Sequence, residues 1–238
     1  MMERPQFDGM TRQQATMAAY DEGLRKYMLK VYNYMALALV MTGLTAFGVS
    51  QSPAMMQAIY GTPLQWVVML APLGFVFFLS AKIHSMKPAT AQMVFWVYAV
   101  LMGISLSYIF MVYTGASVAR VFFITAGSFA GLSLYGYTTK RNLGPLGAAL
   151  GMVLIGLVIA MVVNIFVASS VMHLIISLVG VVVFAGLTAY DTQQIKLSYS
   201  EAMSAEDGER MAIFGALRLY LDFINLFIML LQLLGNRE

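Results

Sequence analysis

The sequence predicts an all-α fold, a polytopic transmembrane bundle of seven helices. Hydrophobic residues make up 60% of the chain, charged residues make up 11%, and the mean hydropathy is +0.78. Soluble globular proteins are about 45–50% apolar and about 25% charged, so this chain has too little charge to cover a water-soluble surface. Together with the absence of cysteine, these values exclude a disulfide scaffold, a disordered chain and nearly all soluble enzyme folds.

Seven apolar stretches of roughly membrane-spanning length follow one another along the chain. They cover residues 31–49, 64–81, 90–113, 121–138, 145–167, 171–190 and 212–234. Helix-breaking residues separate them, notably Ser52-Pro53, Gly61-Thr62-Pro63, Lys87-Pro88 and Asn142-Leu143-Gly144-Pro145. Each stretch is therefore predicted to form one transmembrane helix.

Residues 1–27 are predicted to form a short cytoplasmic tail, followed by a single transmembrane domain over residues 28–238. The tail is charged throughout and lacks the apolar run of about 7–15 residues that a signal peptide needs. Lysine and arginine recur in the connections after the second, fourth and sixth stretches, whereas Arg120 and Arg237 fall on the other side. Because cytoplasmic segments retain basic residues, the amino terminus is predicted to face the cytoplasm.

This topology also accounts for the formal net charge of +3. The basic residues are scattered at membrane edges and form no single patch, so we expect the lipid bilayer, and no nucleic acid, as a partner. Small residues recur at helical spacing in Gly127-xxx-Gly131 and Gly147-xxx-Gly151. We interpret both as sites of close packing between neighbouring helices of one monomer, with a dedicated dimer face as the alternative.

Acidic residues single out two positions. None occurs between Glu22 and Asp191, so Asp191 and Asp222 are the carboxylates that can lie inside the bundle. A charge at the bilayer centre costs about 2.5–3.5 kcal/mol even on lenient insertion scales, and such residues usually mark function. On the last stretch, the polar side chains fall on one helical face, which comprises Arg218, Asp222, Asn225, Met229 and Gln232.

Two structural alternatives remain open at these positions. Arg218 and Asp222 are spaced for an ion pair within one helix that merely holds the bundle together. Asp191 could be a carboxylate at the end of a helix, exposed at the water interface. The two aspartates can meet if the sixth helix continues past Asp191 for one or two turns.

A buried pair of carboxyl groups has a distinct chemistry. Two carboxylates in a low dielectric cannot both ionise comfortably, so such a pair takes up a proton. When ionised, Asp191 and Asp222 offer oxygen ligands that suit a hard cation such as Ca²⁺. Proton and cation then compete for one site, which predicts a pH-gated cation path.

Other chemistry has weaker support in the sequence. HExxH, GxSxG, P-loop and GxGxxG motifs are missing, and His84 and His173 fall at opposite predicted membrane faces. Ser204 and Asp207 fit a capping box that opens the last helix. We therefore expect neither an enzyme nor a bound cofactor, with Ca²⁺ as a permeating ion.

Two segments resemble the paired signatures of the Bax inhibitor-1 family, also called the transmembrane BAX inhibitor motif family, in its bacterial branch. They are AGLTAYDTQQIK at residues 185–196 and LYLDFINLFIMLLQLLG at residues 219–235. The resemblance implies a bundle in which the last helix is central. It also implies that the protein acts as a pH-sensitive calcium leak pathway in the inner membrane. It also implies that Asp191 and Asp222 form the pH sensor.

In that family an arginine on the second helix contacts the aspartate pair. Here the region reads Ser80-Ala81-Lys82-Ile83-His84, so the resemblance makes Lys82 the nearest substitute, a point charge that lacks a bidentate fork. Arg218, Lys82 and Asn225 are the predicted supporting residues. Two other functions stay open: a non-conducting regulator that binds other membrane proteins, such as an inner-membrane protease, and a proton-coupled transporter.

Overall fold

The chain folds as a helical bundle in a computed structural model that describes residues 12–82 and 85–237. The helices in chain order are α1 (Arg12–Ser50), α2 (Pro53–Tyr60), α3 (Leu64–Lys82), α4 (Pro88–Leu106), α5 (Ile109–Val112), α6 (Gly115–Thr138), α7 (Gly144–Val167), α8 (Ser170–Ser198) and α9 (Ala205–Leu234). The all-α prediction is confirmed. His84 lies outside the described residues.

Six of the described helical segments are long and apolar enough to cross a membrane: Met17–Ser50, Pro88–Val112, Gly115–Thr138, Gly144–Val167, Ser170–Ser198 and Ala205–Leu234. Helices α2 and α3 meet at an 82° bend. They add a seventh span only if the bent pair is regarded as a single membrane span. Helix α2 was not predicted; it starts in the Ser52-Pro53 breaker, with Ser52 as its N-cap and proline in its first turn. The predicted count of seven is therefore approximate.

Helix α1 begins well before the first predicted span. The predicted tail is helical from Arg12 onward, and residues 1–11 lie outside the described residues. Leu24, Tyr27 and Met28 are buried at helical spacing, while Asp21 and Arg25 are exposed. This segment packs against protein through an apolar stripe. It has no continuous apolar run, so the pattern used to predict the transmembrane helices does not include it.

The last helix lies at the centre of the bundle, as the family resemblance implies. Helix α9 packs against α8, α1, α6 and α4, and it contributes several completely buried side chains, among them Ile213, Leu219 and Tyr220. At its start, the Asp207 amide donates to Ser204 Oγ at 3.1 Å, which confirms the predicted cap. Helix α7 is peripheral by contrast and packs against α8.

The glycine pairs behave differently from the prediction. A Cβ added at Gly127 or Gly131 would meet nothing within 4 Å, so close packing within the monomer is wrong for that pair. Gly147 does abut the ring of Tyr190 on α8, whereas Gly151 faces open space. In α6 the close approach is made by Gly136, whose added Cβ would collide with the α8 backbone. Small-residue spacing allows a close approach, but the facing helix decides where it occurs.

Candidate functional site

Asp191 lies inside helix α8, well before its end. The helix continues to Ser198, almost two turns beyond Asp191. Asp191 is 8% exposed, and the next residues, Thr192 and Gln193, are buried as well. The alternative of a helix-end carboxylate at the water interface is therefore wrong, and the extension that the two aspartates require is present.

Asp222 is buried on helix α9 and is 5% exposed. Its carboxyl group lies within interaction range of both Asp191 and Arg218. Among the buried side-chain polar atoms of the described residues, Asp222 Oδ2 lacks a hydrogen-bond partner. The two aspartates that the sequence singled out thus meet at one place, between the two helices that pack most extensively against each other.

Arg218 completes this cluster from α9. Its guanidinium forms a bidentate ion pair with Asp191: Nε donates to Asp191 Oδ2 at 3.2 Å, and Nη2 donates to Asp191 Oδ1. The ion pair thus joins α9 to α8, and among the described ion pairs Arg218 has none with Asp222. A purely intrahelical Arg218–Asp222 pair is not what the structure contains.

Charge balance at the cluster follows directly. Two carboxyl groups and one guanidinium carry one uncompensated negative charge when both aspartates are ionised. The side chain of Asp191 is 11% exposed and that of Arg218 is 32% exposed, so the arginine reaches towards the edge of the bundle while the carboxylates stay inside. One proton on either carboxyl group makes the cluster neutral.

Two predicted supporting residues lie apart from this cluster. Asn225 is partly buried on α9, and its Nδ2 donates to the backbone oxygen of Leu221 at 2.8 Å. Lys82 is exposed at the end of α3, and none of the described ion pairs includes it. Helix α3 packs against α4, which in turn packs against α9. Since α4 intervenes, the structure does not bring Lys82 to the aspartates.

Polar residues next to Asp191 fix this part of α8 to its neighbours. Thr192 shares a hydrogen bond of 2.9 Å with Ser133 on α6, and Ser133 in turn bonds to Tyr32 on α1 at 2.6 Å. Gln193 accepts from the Leu143 amide through Oε1 and donates to a backbone oxygen before α7, both at 2.8 Å. Sequence reasoning did not identify these anchors; the polar run after Asp191 was the available signal.

The capacity of the cluster for metal ions is limited. The described residues contain no group of three or more His, Cys, Asp or Glu side chains placed to hold a metal. Ca²⁺ takes about 6–8 oxygen ligands, so two carboxyl groups would need water or backbone oxygens to complete its shell. Such an incomplete set suits transient contact with a cation better than tight storage of one.

Comparison with known proteins places this chain in a family. The model of the family described as inhibitor of apoptosis-promoting Bax1 matches residues 24–238. The chain belongs to the Bax inhibitor-1 family. It is 49% identical over 219 residues to an uncharacterized protein of Rickettsia prowazekii, which covers 92% of this chain and 93% of that protein.

Two further relatives extend the family match in bacteria. The inner membrane protein YbhL of Escherichia coli is 43% identical over 220 residues, covering 91% of this chain and 94% of that protein. An uncharacterized protein of Caulobacter vibrioides is 44% identical over 231 residues, covering 92% of each chain. With its apolar spans, this Bax inhibitor-1 family member is a multi-pass membrane protein.

Proposed function

We propose that this Bax inhibitor-1 family member is a pH-sensitive leak channel for Ca²⁺ in the bacterial inner membrane, with its amino terminus in the cytoplasm. The relative YbhL is named an inner membrane protein, which supports the location. The observation that carries the activity is the buried cluster of Asp191, Asp222 and Arg218 between α8 and α9. We assign the protein no catalytic role and no cofactor.

Charge explains how such a cluster couples protons to cations. With both carboxyl groups ionised, it holds one negative charge beyond what Arg218 neutralises, inside a bundle where an unbalanced charge is costly. A proton neutralises that excess, and a cation that approaches the carboxylate oxygens offsets it. Protons and Ca²⁺ therefore compete for Asp191 and Asp222, and the flux depends on pH.

The bridge between the helices explains how protonation reaches the packing. Arg218 on α9 binds Asp191 on α8 through two donors, so the ion pair fastens the two helices to each other. Its strength depends on the charge of Asp191, because protonation of this carboxylate removes its electrostatic attraction to the guanidinium. A change in protonation therefore alters the contact between α8 and α9, where we place the gate.

Calcium flux from vesicles tests this function. Purified protein is reconstituted into liposomes with a trapped calcium indicator, and flux is followed from about pH 8 to about pH 5, above the range in which a free aspartate titrates. We expect flux from the wild type to change with pH and Asp222→Asn to abolish this dependence. Asp21→Asn is the matched control, because Asp21 is exposed on α1.

Two results would refute the proposal in different ways. An unchanged pH response in both Asp191→Asn and Asp222→Asn would remove the aspartate pair as the sensor. Silence of the purified wild-type protein at every pH would remove the channel itself and would favour the non-conducting regulator. Saturable flux of another solute, coupled to protons, would instead identify a transporter.

A further inference from the structure

An apolar groove with a volume of about 750 Å³ runs between α1 and α6. At one end the two helices are joined by the 2.6 Å hydrogen bond between Tyr32 and Ser133. At the other end α5 contacts both helices. Between these ends the floor is formed by α9, through Phe223, Ile224 and Phe227. The groove is thus a gap in the side of the bundle that is bounded at both ends.

The lining offers an occupant nothing but apolar surface. Thr42 is the one residue with a hydroxyl among those that line the groove. That hydroxyl donates to the Ala99 oxygen at 2.8 Å and shares a 2.7 Å hydrogen bond with Tyr220, so it presents only its methyl group. A polar ligand would lose its hydration without gaining a partner. The occupant must therefore be apolar.

The dimensions of the groove fit one lipid tail. On α1 it extends from Ala36 to Phe47, which is about 16 Å at 1.5 Å per residue. Half of a hydrocarbon core about 30 Å thick is about 15 Å. The groove is therefore about as long as one leaflet is deep. Its volume also falls in the range of about 300–1,000 Å³ that is typical of small-molecule sites.

Charge near the α5 end of the groove favours a phospholipid. Arg120 is exposed on α6, shortly after Gly115, which lines the groove. No acidic residue occurs between Glu22 and Asp191, so nothing in that stretch neutralises it. An arginine near a span end extends its guanidinium to the interface, where lipid phosphates lie.

We propose that this groove binds one acyl chain of a glycerophospholipid from the leaflet at the Ser50 end of α1, with the lipid phosphate near Arg120. This acyl chain packs against Phe223 and Phe227, on the helix that carries Asp222. A bound lipid therefore fills the space beside α9 and supports its position. This inference does not depend on the channel function, because it concerns binding alone.

Tryptophan quenching by lipids with brominated acyl chains tests the proposal. The two native tryptophans are replaced (Trp66→Phe and Trp96→Phe), and one reporter is placed on the groove floor as Phe227→Trp. Phe227 is 5% exposed, so bulk lipid does not reach it, whereas an acyl chain in the groove does. Phe166→Trp is the lipid-exposed reference, since Phe166 is 84% exposed. We expect quenching of the floor reporter to approach that of the reference.

A matched glycine pair on α1 provides the control. Gly43 lines the groove, Gly48 does not, and an added Cβ meets nothing within 4 Å at either position. Gly43→Leu fills the groove and is expected to lower quenching of the floor reporter at least about twofold, because the side chain displaces the lipid tail. Gly48→Leu is expected to leave quenching unchanged.

Three outcomes would overturn the proposal. The first is an unquenched floor reporter beside a quenched Phe166→Trp reference. The second is an equal effect of the two leucine variants. The third is quenching that disappears as the protein-to-lipid ratio rises, which would identify a second copy of the chain as the occupant. Phe223→Trp serves as the floor reporter if circular dichroism shows that Phe227→Trp does not fold.

Discussion

Replacing Arg218 with methionine removes the cation of the buried cluster while keeping much of the apolar stem. Removal of one partner from a fully buried ion pair costs about 3–5 kcal/mol, because the other charge stays uncompensated. The Arg218 side chain is 32% exposed and that of Asp191 is 11% exposed, so solvent screens part of this interaction. We therefore expect Arg218→Met to lower the free energy of unfolding by about 2–3 kcal/mol near neutral pH.

The pH dependence of this loss gives a sharper test than its size. Without Arg218, folding near pH 8 must bury two carboxylates or bind protons to neutralise them. At about pH 5 protons are about a thousandfold more available, so we expect the penalty to fall to about 1 kcal/mol or less. Stability of the variant relative to the wild type therefore rises as the pH falls.

Unfolding in mixed micelles, followed by circular dichroism, measures both quantities. Arg25→Met is the matched control, since Arg25 is exposed on α1, and we expect it to change stability by no more than about 0.5 kcal/mol at either pH. The double variant Arg218→Met with Asp191→Asn should recover part of the loss, because fewer carboxylates are left without a cation. A loss in Arg218→Met equal to that of Arg25→Met at both pH values would refute the charge argument.

Three further predictions use the same unfolding assay. Gly136→Ala should lower the free energy of unfolding by about 1–3 kcal/mol, because the added Cβ would collide with the α8 backbone. Gly131→Ala faces open space and should leave stability unchanged or raise it, and equal effects of the two variants would contradict this packing. Glu209→Gln should lower the free energy of unfolding by about 0.5–1 kcal/mol, because Lys30, its partner in the ion pair, is half exposed. A loss above about 2 kcal/mol would contradict a weak, solvent-screened ion pair. Tyr220→Phe should cost about 1 kcal/mol by removing the hydrogen bond to Thr42, and no loss would show that this bond contributes nothing.

The position of the cluster could be predicted from sequence because charge is scarce in this chain. In a long acid-free sequence, Asp191 and Asp222 stand out, and helical periodicity puts Arg218 on the same face as Asp222. Periodicity gives the face of one helix but not the neighbour that it meets. The turn-to-turn spacing of Arg218 and Asp222 suggests an intrahelical pair, whereas the guanidinium reaches across to α8.

Other features depended on contacts that no local pattern specifies. Lys82 was assigned by its position in a family motif, but α4 lies between its helix and α9. The early start of α1 was missed because a span search looks for continuous apolar runs, while this segment buries only a stripe against protein. The open face at Gly127 and Gly131 was missed because spacing does not reveal whether a partner helix is present.

The distribution of side-chain hydrogen bonds indicates which parts of the bundle can move relative to each other. Around Asp191, helix α8 is tied to α6 through Thr192 and to the segment before α7 through Gln193. Helix α9 is tied to α1, through Glu209 near its start and through Tyr220, and near its other end to α8, where Gln232 accepts from Ser177. At the depth of the aspartates, α8 and α9 contact each other directly through the charged contact with Arg218, while the hydrogen bond between Ser133 and Tyr32 joins α6 to α1. A change of protonation at this point therefore acts on the contact between α8 and α9. It leaves the hydrogen bonds of each helix to its other neighbours intact.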